Sequence, residues 1–205
     1  MNLTLTDCIA ILGAATGVLA LVVNFLTYWN KRANLEIKLP KIAKNSIAYF
    51  FNKSILFEQD KFSESHRALF QIDLNNNSDA PITIFEYHLI YNEKVIATCT
   101  QYLSNINSCK FAIDKQNATT IPIQSSNVFP LLTLKQYEYK RGFLMFVFNP
   151  PFNMVEETIN FKIIVLTSRG NFSTSYIKCT KIDDKNMKKQ TKEALNAVIE
   201  STKYI

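Results

Sequence analysis

His66 and His88 are the only imidazoles in this 205-residue chain, and its four thiols are Cys8, Cys99, Cys109 and Cys179. Imidazole and thiolate hold zinc, or act as base and nucleophile, when they stand beside suitable partners. Neither histidine sits in a recognisable motif, and the cysteines lack metal-ligand spacing. His66 follows the polar Ser63, Glu64 and Ser65 and reads as solvated. His88 alternates with Tyr87 and Leu89 and reads as the outer face of a strand. Glu156 and Glu157 read as a loop charge pair rather than an acid and a base. Of the four glycines, Gly13 and Gly17 fall in an apolar run, which leaves Gly142 and Gly170, too few for a phosphate loop or a dinucleotide fingerprint. The expectation is a protein that is not an enzyme, with no cofactor and no metal.

A different kind of spacing stands out near the N-terminus. Ala10, Gly13, Gly17, Ala20, Asn24 and Thr27 recur at alternating steps of three and four, so a helix places them on one stripe of small or polar side chains. Bulkier Ile11, Leu12, Val18, Leu19, Val22, Phe25 and Leu26 mostly occupy the other faces. Small residues let helix backbones approach closely in lipid, and Gly13 with Gly17 forms a G-x-x-x-G pair. The amide of Asn24 needs a partner there, because an unpaired polar group in hydrocarbon is costly. Ala10, Gly13, Gly17, Ala20 and Asn24 are therefore the candidate association surface, most simply of a homo-oligomer.

The element that must position this stripe is the apolar run Cys8 to Tyr28. At about 1.5 Å per residue it crosses the roughly 30 Å of a bilayer's hydrocarbon core. A cleaved secretory signal has a basic start, a shorter core and a small-residue cleavage site, none of which is present. Lys31, Arg32, Lys38, Lys41 and Lys44 follow the run, whereas Asp7 and the terminal amine precede it. The excess of basic residues marks the cytoplasmic side. The expected organisation is a short extracytoplasmic N-terminus (1–7), a transmembrane helix (8–29), a cytoplasmic domain (30–182) and a C-terminal segment (183–205). Trp29, with Lys31, Arg32, Lys38, Lys41 and Lys44, is expected to contact lipid headgroups.

Beyond the helix the periodicity becomes strand-like. Leu35, Ile37 and Leu39 alternate with Glu36 and Lys38, and Ala68, Phe70, Ile72 and Leu74 alternate with Leu69, Gln71 and Asp73 up to a turn cluster at Asn75–Pro81. The strand that begins at Ile82 shifts phase, which a bulge near Phe85 explains. Asn92 and Glu93 predict a hairpin turn into Lys94–Thr100. Further strands are expected over 119–123, 142–148, 158–167 and 172–178, the last two joined by a hairpin with Gly170 at positive φ. Seven to nine strands predict a mainly β fold, an antiparallel β-sandwich of immunoglobulin-like size. From Asp183 onward, Met187, Thr191, Ala194, Leu195, Val198, Thr202 and Ile205 share a face, which predicts a C-terminal basic amphipathic helix. The cytoplasm would keep the thiols reduced, and a Cys99–Cys109 bridge requires the reversed orientation.

The net charge of +6 lies largely in the juxtamembrane and C-terminal lysines. It suits anionic lipid, and no nucleic-acid motif accompanies it. The partners expected are membrane lipid, a second copy of the chain, and a cytoplasmic protein or small ligand, rather than nucleic acid. The leading function is a single-pass membrane-anchored binding or assembly module. The alternatives are a membrane-perturbing effector and, if the topology is reversed, an extracytoplasmic adhesion or receptor domain.

Overall fold

The computed structural model describes residues 4–30, 32–40, 48–52, 63–99, 108–112, 118–122, 128–150 and 158–182. The C-terminal segment 183–205, the Glu156–Glu157 pair, and Lys31, Lys41 and Lys44 lie outside them. One helix, α1 (Leu5–Asn30), precedes twelve strands among the described residues. They are β1 (Leu35–Lys38), β2 (Ala48–Asn52), β3 (His66–Asn76), β4 (Ile82–Tyr91), β5 (Lys94–Cys99), β6 (Ser108–Ala112), β7 (Ala118–Pro122), β8 (Leu132–Leu134), β9 (Tyr139–Phe148), β10 (Thr158–Thr167), β11 (Gly170–Ser173) and β12 (Ile177–Ile182).

Ten of the strands join in a single hydrogen-bonded sheet, and β6 with β7 forms a separate hairpin pair. β3 is one centre of the sheet. It pairs with β9 along one edge from His66 to Asn75, and on the other edge with β2 and then β1. Arg67 to Ile72 are buried without alternation, as expected for a strand covered on both faces. β10 is the second centre, with β4 on one edge and β12, then β11, on the other. The link between the two centres is β12 with β2, and this pair is parallel. The sheet is therefore mixed, not antiparallel throughout as the local periodicity suggested. It also curls, because β5 and β9 stand at opposite ends of the strand order yet lie against each other.

Inside the curl, Phe161 is the hub of an aromatic cluster. The rings of Phe50, Phe70, Phe148 and Tyr91 stand 6.0–6.3 Å from it, centre to centre, three of them edge-on. Edge-on contacts of this kind add about 0.5–1.5 kcal/mol each beyond burial. Phe50, Phe70, Phe148 and Phe161 are essentially inaccessible to solvent.

Several local expectations meet their physical cause. Leu166 pairs with Glu86 and Thr167 with Ile84, so Phe85 is the extra residue of a bulge in β4. Asn92 and Glu93 have φ of 47° and 60°, the pair of left-handed residues that a two-residue hairpin of right-handed twist requires. Gly170 follows the Ser168–Arg169 turn at φ 119°. The strand expected over 172–178 is instead two strands, β11 and β12. They are separated at Thr174, whose N–H donates to the Ile163 carbonyl and whose hydroxyl accepts the Ile163 N–H.

Candidate functional site

α1 contains 26 residues, about 39 Å at helical rise, and the apolar window Ile9–Tyr28 inside it is wholly exposed. Among the described residues nothing in the β part packs on it. A core helix of this composition is buried, whereas α1 is long and apolar enough to cross a membrane and has no apolar partner among the described residues. Its hydroxyls suit hydrocarbon. Thr16 donates to the carbonyls of Leu12 and Gly13 at 3.0 Å, and Thr27 to that of Val23 at 2.8 Å. Both are satisfied without leaving the helix.

The stripe Ala10, Gly13, Gly17, Ala20 and Asn24 lies along this exposed helix. No atom comes within 4 Å of where a Cβ would stand on Gly13 or Gly17. The Asn24 side chain makes no hydrogen bond among the described residues, in contrast to the two threonines. It sits about 8 Å from the middle of the window, well inside a 30 Å core.

The basic residues after α1 do not form one uniform group. Arg32 is exposed, and Lys38 is ion-paired with Glu36 across one side of β1. That pairing, first through the Lys38 hydrogen bond, lowers the Glu36 carboxyl below its usual range. The backbone of Trp29 belongs to α1, and its side chain lies outside the described residues.

The sheet end that receives α1 is tied together by buried polar groups. Asn77 donates its N–H to the Asn34 carbonyl at 2.8 Å, and Asn76 donates its N–H to the Glu138 carbonyl at 2.9 Å. The Asn76 side chain is fully buried. Its amide donates to the carbonyls of Ala80 at 2.9 Å and Lys135 at 2.8 Å, and its oxygen accepts the Ser78 N–H at 3.1 Å. On the adjoining face, Arg141 donates to both carboxylate oxygens of Asp73, at 2.7 and 2.9 Å, and its guanidinium lies 5.9 Å from the centre of the Tyr139 ring. The hydrogen bonds to Asp73 raise the Arg141 pKa further.

The residues first considered for chemistry are scattered. His66 opens β3, hydrogen-bonds Ser65 at 2.8 Å and packs 5.9 Å from the Phe148 ring. It is half-buried, not solvated, and burial followed by Lys181 and Arg67 lowers its pKa. His88 lies on β4, 2.9 Å from Glu86. Cys99 and Cys179 are buried free thiols, and burial pushes Cys99 up to about 12. No metal-holding group of side chains occurs among the described residues. Composition did not reveal the fully buried Arg67, which donates to the carbonyls of Glu64 and His66, or the buried Gln71 and Tyr87, whose polar side-chain atoms have no partner among the described residues. Their only signal was position in a strand buried on both faces, or opposite a cysteine.

No protein-family model matches the chain, and no curated protein does. Among solved structures it is similar to Pseudomonas fluorescens alkylpurine DNA glycosylase AlkC bound to DNA containing an abasic site analog, at 10% identity and a TM-score of 0.28. The match covers 75% of this chain and 33% of that one. Likeness at that level carries no argument about fold or activity.

Proposed function

We propose that the chain is a single-pass membrane protein whose β part is a non-catalytic binding or assembly module, self-associating through α1. The observation that carries this reading is the exposure of the whole window Ile9–Tyr28, an apolar surface that only lipid or another helix can cover. The Gly13–Gly17 face, open to close approach, and the unpaired Asn24 amide support association between spans. The basic residues after α1 support a cytoplasmic position for the β part. In the same reading the curled sheet works as a sandwich whose layers meet over the Phe161 cluster.

Reporter fusions after Ile205 test the topology. A fluorescent protein that matures only in the cytoplasm is expected to light up, and alkaline phosphatase at the same position to stay inactive. The reverse pattern would reassign the β part to the outside and favour an adhesion or receptor role. Overexpression is expected to leave membrane potential intact, whereas depolarisation would replace the module reading with that of a membrane-perturbing effector.

A further inference from the structure

Outside α1, the large apolar side chains exposed among the described residues are Phe85, Val95, Leu131, Tyr137, Tyr139 and Tyr176. Four of these, Phe85, Leu131, Tyr137 and Tyr139, lie toward one end of the sheet, the end at which β1 begins and β3 finishes. Val95 and Tyr176 lie toward the other, where the Tyr176 hydroxyl donates to Glu93 beside the β4–β5 turn.

The crowded end is the one fused to α1, and it is not free to move far from it. Asn34 follows the last helical residue by four positions, a reach of at most about 14 Å. Asn34 holds Asn77 through its carbonyl, Ser78 holds the N–H of Tyr137 at 3.2 Å, and Asn76 holds the Lys135 carbonyl. The loop that carries Tyr137 is thus fastened by backbone hydrogen bonds to the segment leaving the helix. Leu131 is fastened beside it, through its N–H to Ile84 and through the pairing of β8 with β4.

Leu131 and Tyr137 have φ of 65° and 53°. That region favours glycine or asparagine, and bulky side chains are strained in it. With 58% and 65% of their surfaces exposed, the two side chains gain little from packing among the described residues. Neither backbone preference nor the described core accounts for them, which leaves an apolar contact beyond the described residues to be sought. Lys135 and Lys140 flank them, with Arg32 and Arg169 at the same end. The acids there among the described residues are Asp79, Glu86 and Glu138; Glu138 accepts the Lys135 N–H and Glu86 lies 2.9 Å from His88, while Asp73 is neutralised by Arg141 and Glu36 by Lys38.

We propose that this end of the β part is a second membrane contact, in which Leu131 and Tyr137 enter the interfacial layer of an anionic bilayer and Lys135 and Lys140 meet lipid phosphates. The inference rests on α1 spanning the membrane and deepens that reading by assigning the face of the domain that lies on lipid. It turns the Asn92–Glu93 end toward solvent and any soluble partner.

The test uses the full chain reconstituted in phosphatidylcholine–phosphatidylglycerol vesicles, with Trp29→Phe removing the only native tryptophan. Tyr137→Trp, Leu131→Trp and Tyr176→Trp then each carry one reporter, read against lipids brominated high on the acyl chain. Emission of the Tyr137→Trp and Leu131→Trp proteins is expected to fall about twofold and shift to the blue, as for interfacial indoles, and that of Tyr176→Trp to stay unchanged. Equal emission from all three, with the chain still pelleting with vesicles after an alkaline carbonate wash, would overturn the inference alone. Release by the wash would overturn it together with the spanning reading.

Discussion

Asn76→Ala removes the side chain that joins three segments at the end of the sheet where β1 begins and β3 finishes. The amide donates to the carbonyls of Ala80 at 2.9 Å and Lys135 at 2.8 Å, and the oxygen accepts the Ser78 N–H at 3.1 Å, all at a position with no solvent exposure. The Ser78 hydroxyl also donates to Asn76, but it keeps the Ala80 carbonyl at 3.1 Å and is not orphaned. Three hydrogen bonds are thus lost, one from the buried Ser78 N–H and two from the carbonyls of Ala80 and Lys135, which keep the Ser78 hydroxyl and the Glu138 N–H; at about 1 kcal/mol per bond the loss is about 3 kcal/mol. For a domain of this size each kcal/mol lowers Tm by about 2–4 °C, so the expected loss is roughly 6–12 °C. The assay is thermal unfolding of the full chain in detergent micelles, followed by the β signal in far-ultraviolet circular dichroism. Ser78→Ala, which removes one hydroxyl, sets the scale at about 1 kcal/mol. A loss for Asn76→Ala no greater than for Ser78→Ala would refute the reasoning, because the Asn76 amide would then not be what joins the loops.

Gly17→Ile puts a branched side chain where nothing now lies within 4 Å, and it is expected to abolish cross-linking between copies through α1; cross-linking at wild-type yield would remove the stripe from consideration. His66 has a lowered pKa, first through burial and then through Lys181 and Arg67, so the unfolded chain binds the proton more readily than the folded one. Its contribution is complete above about pH 6.5 and is lost as pH falls below that. Melting temperature is expected to decline from there downward in the wild type and less steeply in His66→Phe. Cys99 shifts the other way: burial raises its thiol from 9.0 to about 12, so its contribution holds below about pH 9 and disappears as pH rises toward 12. Thermal melts between those limits should show a fall that is shallower in Cys99→Ala, and Ellman's reagent should leave the folded protein's Cys99 unmodified at pH 8.

What the chain discloses before folding is what short-range pattern can carry. α1 is legible because an unbroken apolar run has one dominant interpretation, and β3, β4, β9 and β10 because alternation or continuous burial extends over several residues. The bulge at Phe85 is legible because a phase shift in a two-residue repeat admits a single extra residue. β2 was missed because Phe50 and Phe51 face opposite sides and are both fully buried, so Ala48–Asn52 shows no alternation. Its parallel partner β12 is set by pairing between distant segments, which local periodicity does not encode. β8 is three residues long, too short for a period. Asn76 was read as part of a turn cluster, correctly for its backbone position. Its ties to Lys135, 59 residues away, exist only in the folded chain. The same holds for Asp73 with Arg141, and for His66, whose polar sequence neighbours hid the Phe148 ring beneath it. Exposed Leu131 and Tyr137 carried no sequence signal because their positive φ belongs to the folded backbone.

The most direct measurement is alkaline carbonate extraction of membranes from cells that express the full chain. With α1 across the bilayer, the protein stays in the membrane pellet, and Val18→Lys with Leu19→Lys, which places two charges near the middle of the window Ile9–Tyr28, shifts it to the soluble fraction. Recovery of the wild-type chain in the supernatant, with the double-lysine variant behaving identically, would contradict a membrane-spanning α1 and every surface assigned from it.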